Sequence, residues 1–239
     1  MKPGKNYTVT DVETYFQKAG LVDDDYANFH KYRYAYILNI LDTLLKQGGE
    51  PNQSLLDVGP YYQTPLIRQT FSKLAVNTLG FDKPSNEMRE GELHWTADLN
   101  HAQLPENPVR HDIILYSEVM EHLYTMPQLV IDFLSNLLSP GGHLIVQTPN
   151  AVALHKRINM LMGRNPFDMI DSERQNHFRE YTLPELIGIL EACGYQVVYS
   201  SISNYFNPDR NWAQRAYRRM GNWLTPGLRD GITLVARKD

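Results

Sequence analysis

The chain holds one cysteine, Cys193. It cannot close an internal disulfide, and a reducing compartment suits it. No apolar run approaches the ~20 residues needed to span a bilayer. Residues Met1 to Asn6 lack the apolar stretch of a secretory leader, so a cytoplasmic protein is the expectation. Positive charge is not in excess: 23 Lys and Arg against 27 Asp and Glu leave a formal net charge of −4. No global basic field gathers nucleic acid, and no nucleic-acid partner is expected. Internal repeats and low-complexity linkers are missing. No metal-ligand spacing stands out, so no metal is expected.

What is present is a 239-residue chain with 42% hydrophobic and 21% charged residues, enough for one α/β domain with extra helices. Residues 9–19 space Val12, Tyr15, Phe16 and Ala19 for one helical face. The stronger helix is predicted from Tyr32 to Lys46, with Tyr34, Ile37, Leu38, Leu41, Leu44 and Leu45 at the 3.6-residue period and Gly48-Gly49 beyond it. Strands are then predicted at 54–58, 76–82, 93–98, 112–116 and 143–148, with helices over 64–73 and 126–138 between them. Ser139-Pro140-Gly141-Gly142 reads as a tight turn. A helix is expected over 153–162. Another, over 182–193, has Thr182 as cap, Glu185 at the capping-box position and Gly194 as its stop. Strands at 196–201 and 232–237 complete the series. This alternation argues for a parallel sheet covered on both faces.

In such a sheet ligands bind beyond the carboxyl ends of the strands, near the point where strand order reverses. The residues after each predicted strand are therefore the candidates. Gly59 follows the first strand and is succeeded by a helix N-terminus with free N–H groups; an ordinary strand-to-helix turn would look the same. Asp82 follows the second and suits a ribose diol, as an acid about 20 residues past a glycine turn does in dinucleotide sites. Asp98 and Leu99 follow the third, where a carboxylate or backbone amide can meet an adenine amino group. Ser117-Glu118-Val119-Met120-Glu121-His122 follows the fourth. There His122 can orient a ligand or move a proton, since histidine titrates near neutrality; equally, Glu121 and His122 can simply start the next helix.

Taken in order, Leu-Leu-Asp-Val-Gly, Gly-Phe-Asp, Ala-Asp-Leu, Asp-Ile-Ile-Leu-Tyr-Ser-Glu-Val-Met-Glu-His-Leu and Leu-Leu-Ser-Pro-Gly-Gly-His-Leu-Ile-Val resemble the class I S-adenosylmethionine-dependent methyltransferases. Glu118 to Leu123 and His177-Phe178-Arg179-Glu180-Tyr181-Thr182 are similar to the quinone-type O-methyltransferase branch. The resemblance covers about residues 50–200. It implies a Rossmann-like, seven-stranded, mostly parallel sheet with helices on both faces and the last strand antiparallel. It implies S-adenosylmethionine over Gly59, Asp82, Asp98 and the Ser117 loop, with Asp57, Tyr61, Leu99 and Glu118 beside it. One departure stands out: the family writes the first turn Asp-x-Gly-x-Gly-x-Gly, and this chain has Tyr61 and Gln63 at the second and third glycine positions. Side chains there can crowd the methionine part of the cofactor.

The domain reading is a helical cover over 1–50, a cofactor core over 51–150, and substrate-side insertions over 151–180 and 204–230. A small-molecule acceptor is expected, with a hydroxyl the favoured target. A neutral alcohol needs a base, and His122 and His177 are the candidates, with His155 behind them. Residues 210–219 interleave Arg210, Arg215, Arg218 and Arg219 with Trp212 and Tyr217, a pattern that suits a membrane surface, an anionic partner or a solvated helix. The competing reading is a non-catalytic protein of the same fold with a degenerate cofactor turn. The Gly-x-Gly-x-x-Gly turn of a nicotinamide dehydrogenase is absent.

Overall fold

The computed structural model describes residues 2–48, 53–81, 88–101, 103–104, 106–170, 176–206, 215–216, 221, 223 and 225–238. Asp82 and most of 210–219 lie outside the described residues.

Helix α1 (Val9–Ala19) opens with a reciprocal capping box between Thr8 and Asp11. Helix α2 (Asp25–Gly48) begins seven residues before the predicted start. The added turns carry Tyr26, Ala27, Asn28, Phe29 and His30, whose apolar period is weak. What starts the helix is Asp24, whose Oδ1 accepts from the Ala27 N–H at 2.8 Å, an orphan donor of the first turn.

The strands are β1 (Ser54–Val58), β2 (Ala75–Gly80), β3 (His94–Thr96), β4 (His111–Ser117), β5 (Leu138–Pro149), β6 (Tyr195–Ser203) and β7 (Gly231–Lys238). They form one seven-stranded sheet in the order β3-β2-β1-β4-β5-β7-β6. β7 runs antiparallel to both β5 and β6, and the pairs from β3 to β5 are parallel, as the resemblance implied. Strand order reverses between β1 and β4, where Val58 pairs with Tyr116, so Gly59 and Ser117 sit side by side at the switch point.

Ser139 to Gly142 is not a turn before β5 but a bulge within it. Leu138 pairs with His111 and His143 with Ile113, so the extra residues are looped out of register. A Cβ on Gly142 would lie 2.8 Å from the Ser139 carbonyl oxygen and 3.0 Å from that of Asp112, so only glycine fits this crossing.

Helices α3 (Gln63–Thr70), α4 (Pro127–Asn136), α5 (Leu154–Leu161) and α6 (Leu183–Ala192) fill the connections. The α6 capping box of Thr182 and Glu185 is present as predicted. Two apolar layers sandwich the sheet. On one face α4 and α6 pack Val130, Leu134, Leu186 and Leu190 against Leu56, Ile114, Leu144 and Leu234. On the other, α1, α2 and α3 pack Phe16, Ile37, Leu41 and Leu66 against Leu55, Ile113, Leu115 and Ile145. Helices α1 and α2 thus form a core layer: buried side chains run from Ala27 to Leu44 along α2, each worth about 1.5–3 kcal/mol when large and apolar. The N-terminal half of α2 reaches the switch point, where Arg33 meets Ser117. Among the described residues, no helix is long and apolar enough to cross a membrane.

Candidate active site

The first turn is held from below. Asp57 is fully buried; its Oδ1 accepts from Gln63 Nε2 at 2.8 Å and its Oδ2 from Thr64 Oγ1 at 2.6 Å. Burial pushes its pKa up to about 6, against the pull of those hydrogen bonds and of Arg33. Each oxygen therefore answers a donor of the loop itself. Asp57 thereby holds the turn and the start of α3 in place.

Gly59 has φ of 75°, and its N–H donates to Leu79 O at 2.8 Å. A Cβ there would lie 2.5 Å from Val119 Cγ2. The glycine serves the backbone conformation and the close passage of the β4 loop.

Gln63, which the sequence placed as an obstruction, is buried and turned down into the core. Its Oε1 accepts from Arg33 Nη1 at 3.2 Å. Arg33, 2% exposed, also donates from Nε to His30 Nδ1 at 3.0 Å and from Nη1 to Ser117 Oγ at 2.5 Å. Ser117 Oγ donates to Gln147 Oε1 at 3.0 Å, and Gln147 Nε2 donates to Thr233 Oγ1 at 2.9 Å. Ser117 is thus a link in a buried chain that ties α2 to β1, β4, β5 and β7. Arg33 was missed from sequence. The available signal was a charged residue on the same face as Ile37, four residues on, within an apolar-periodic helix.

Tyr61, 42% exposed, stands on the rim. Its ring meets Tyr26 edge-on at 4.8 Å and lies 4.2 Å from Tyr62, whose hydroxyl donates to Asp24 Oδ2 at 2.8 Å. Tyr26, His30, Phe29 and Phe206 continue this aromatic wall. Farther along the edge, Asp98 Oδ1 accepts from the Asn100 N–H at 2.9 Å, heading a short 3₁₀ turn, and Leu99 is buried.

The end of β4 is built differently. Glu118 has φ of 55°, an uncommon conformation for a residue with a side chain, and its Oε1 is shielded from solvent with no hydrogen-bond partner among the described residues. Glu121 is fully buried; Oε2 accepts from Thr148 Oγ1 at 3.0 Å, while Oε1 has no partner. Burial, and for Glu118 the neighbouring Glu121, push these carboxyls up to about 8 and about 7. The Glu121 carbonyl accepts from the N–H groups of Phe178 and Arg179 at 2.7 and 3.3 Å, which draws the stretch before α6 onto the β4 end. His177 and His122 meet there, ring centroids 4.8 Å apart. His122 Nδ1 lies 3.2 Å from the Asn176 carbonyl. A carbonyl only accepts, so Nδ1 carries the proton and Nε2 keeps its lone pair. Burial and His177 hold the His122 pKa below its ordinary value. His177 Nδ1 is 3.0 Å from Glu180 Oε1, and Glu180 also pairs with Lys156.

Glu121, His122 and His177 each bring a donor atom within 4.8 Å of the other two. These are residue types that bind a divalent cation, near enough for side-chain rotation to bring them to one ion. The sequence expectation of no metal was drawn from linear spacing; His177 reaches this group from beyond α5. The structure therefore brings together His122, His177 and Glu118 on one side, and Asp57, Gly59, Tyr61 and Ser117 on the other. Asp98 and Leu99 lie farther along the same edge.

Residues 29–200 match a methyltransferase domain family. The chain belongs to that family. Its methyl donor is S-adenosylmethionine. A probable S-adenosylmethionine-dependent methyltransferase of Mycolicibacterium smegmatis is 34% identical over 107 residues, covering 42% of this chain and 35% of that protein; the matched stretch is about a third of that relative's length. The fold is shared with the magnesium protoporphyrin IX methyltransferase of Synechocystis, at TM-score 0.57 and 12% identity over 97% of this chain and all (100%) of that one. It is shared also with the 1,6-didemethyltoxoflavin N1-methyltransferase of Burkholderia thailandensis, at TM-score 0.54 and 16% identity over 96% and 86%. As a methyltransferase domain, the chain fits its cofactor at the switch point. The donor-less Glu118 oxygen suits a ligand rich in hydroxyl and ammonium donors, and the turn that departs from the glycine-rich form has its Gln63 side chain folded away.

Proposed function

We propose that this methyltransferase domain transfers a methyl group from S-adenosylmethionine to a hydroxyl oxygen of a small molecule, such as a sugar or a quinone-like or other secondary metabolite. The observation that carries this reading is the His122 ring, neutral, with its Nε2 lone pair beside His177 and Glu121 at the carboxyl end of β4. The cofactor supplies an electrophilic methyl on sulfur. The protein's part is to align the acceptor and to take its proton, a contribution of about 10²–10⁴ in rate. His122 accepts at Nε2. Glu180 fixes the orientation of His177, which stands against the other face of the pair. The buried Arg33 network keeps Gly59 and Ser117 in place and supports a cofactor site bounded by Tyr61, Asp98, Leu99 and Glu118, with Asp82 proposed as the ribose acid from its position in sequence.

A second reading is favoured by the unpartnered Glu121 Oε1: the trio of Glu121, His122 and His177 takes a divalent cation, which lowers the acceptor hydroxyl's pKa in place of a free base. One panel separates the readings. Turnover on hydroxyl and amine acceptors is measured for the wild type, His122→Ala and His177→Ala, with and without chelator, beside calorimetric cofactor affinity. A drop of about 100-fold on hydroxyl acceptors with unchanged cofactor affinity supports the base; the wild-type rate should then rise with pH through the lowered His122 pKa. Loss of rate on chelation, restored by Mg²⁺ or Zn²⁺, supports the metal. Full turnover in both variants sinks both, and no binding of the cofactor or its demethylated product by the wild type leaves the non-catalytic reading standing.

A further inference from the structure

Helix α5 buries a charge and little else. From Leu154 to Leu161 the one buried residue is Lys156. A surface helix ordinarily turns its lysines to water and its apolar stripe inward. A buried ammonium is costly unless an opposite charge and hydrogen bonds answer it. Here the answer is Glu180. Lys156 Nζ pairs with Glu180 Oε2, and the two side chains are 8% and 6% exposed. The other carboxylate oxygen, Oε1, lies 3.0 Å from His177 Nδ1.

The backbone around Glu180 is held without this pair. On the β4 side the Glu121 carbonyl accepts from the N–H groups of Phe178 and Arg179. Just beyond β5, the Tyr181 carbonyl accepts from the Ala151 N–H at 3.0 Å, and Asn150 bridges to Tyr181. What the backbone leaves open is the direction of the Glu180 side chain, and that is what Lys156 fixes. Paired with an ammonium, Glu180 is a carboxylate, and a carboxylate only accepts. The proton of a neutral His177 ring then sits on Nδ1, and Nε2 keeps its lone pair. The Asn176 carbonyl orients His122 in the same way. Two adjacent rings thus have their Nδ1 atoms tied back and their Nε2 atoms open.

We infer that Lys156 is a positioning residue: by holding one oxygen of Glu180 it commits the other to His177 Nδ1, and so sets the tautomer that leaves His177 Nε2 open to the site. Its importance for turnover rests on the proposed role of His177 beside the acceptor. Whether Nε2 meets a hydroxyl or a cation, it needs that lone pair.

The test reads the ring nitrogens of His177 by nitrogen NMR of the isotopically labelled full chain. Chelator is present and the pH is mildly alkaline, where an imidazole is neutral; His177→Ala identifies the signals. The wild type should show the Nδ1–H form. In Glu180→Gln the side chain has one oxygen. With Lys156 in place that oxygen stays on the ammonium, the amide N–H group faces His177 Nδ1, and the ring should invert to the Nε2–H form. Lys156→Met/Glu180→Gln frees the amide to turn, and the Nδ1–H form should reappear. Lys156→Arg, which keeps the cation and does not depend on the folding of the other two, should keep the wild-type form. A wild type in the Nε2–H form would overturn the inference, and so would a Glu180→Gln variant that keeps Nδ1–H. Turnover on hydroxyl acceptors separates the tether from the role of His177. Inversion in Glu180→Gln with a loss of about tenfold or more supports both. Inversion with full turnover leaves the Lys156 tether standing and removes His177 from the chemistry.

Discussion

The ends of β1 and β4 lie side by side at the switch point, yet they spend their polar atoms in opposite ways. At the end of β1 the central side chains answer one another: Asp57 accepts from Gln63 and Thr64, Gln63 accepts a hydrogen bond from Arg33, and Arg33 reaches Ser117 and through it Gln147. At the end of β4 the Oε1 atoms of Glu118 and Glu121 are shut away from water with no donor. A satisfied buried network fixes geometry; an unsatisfied one costs free energy in the empty protein and is repaid by whatever supplies the donor. The first region is a mount and the second a socket, and substitutions should separate them.

The largest effect should come from the mount. Arg33→Ala removes the donor to Gln63 Oε1 and Ser117 Oγ and leaves His30 Nδ1 unpaired, all in places without water. Unsatisfied groups cost about 1–3 kcal/mol each, so a loss of about 3–5 kcal/mol is expected in denaturant unfolding. Cofactor affinity should fall with it, since the turn is released. Near-wild-type stability together with lost affinity would make Arg33 a ligand contact instead of a mount.

Next comes Gly59→Ala, with the cost split between two causes. The positive φ strains any side chain, and the added Cβ runs into Val119 Cγ2. A loss of about 2–4 kcal/mol is expected. The pair Gly59→Ala/Val119→Ala relieves the collision and leaves the backbone strain, so the double variant should recover part of the melting temperature. No recovery would mean that Val119 yields freely and that φ alone demands the glycine.

How much of this was readable in advance follows the length of the interaction. The α6 capping box was legible because Thr182 and Glu185 are three residues apart and answer each other's backbone. The sheet was legible because each strand carries its own apolar run. Gly59 was visible as punctuation, but its reason lies in Val119, which only the pairing of β1 with β4 brings near. Ser139 to Gly142 has the composition of a turn and becomes a bulge because the register with β4 continues on both sides of it. The mount was unreadable: Arg33 meets partners 30 and 84 residues away. The socket was half readable. Glu118, Glu121 and His122 lie together in the chain, while His177 and Glu180 arrive from the far side of α5 and are held there by the Glu121 carbonyl. Tyr61 and Gln63 looked alike as replacements for glycine, yet one stands on the rim and the other turns into the core.

The smallest effect, and the one most particular to the socket, is a dependence on pH. Glu118 and Glu121 are raised in the folded protein, chiefly by burial. The unfolded chain releases those protons near the ordinary glutamate pKa of about 4.3, while the folded chain keeps them until about 7 and about 8. Between these limits the folded state binds more protons than the unfolded one. Stability should therefore fall as pH rises, by at most about 1.4 kcal/mol per pH unit for each proton involved. Glu118→Gln keeps the shape and removes one titration. Its free energy of unfolding relative to wild type should climb from pH 5 to pH 8, by about 1–2 kcal/mol in all, because the two carboxyls share one repulsion. Asp57→Asn gives the counter-measurement on the mount. Its raised pKa, to about 6, ends the corresponding climb two units earlier than the Glu118 value of about 8. The amide also loses one of the two acceptor oxygens that Gln63 and Thr64 use, so it should lower stability at every pH. A Glu118→Gln curve parallel to wild type would show that the Glu118 carboxyl is ionised and partnered in the folded protein, and that its burial does not raise it.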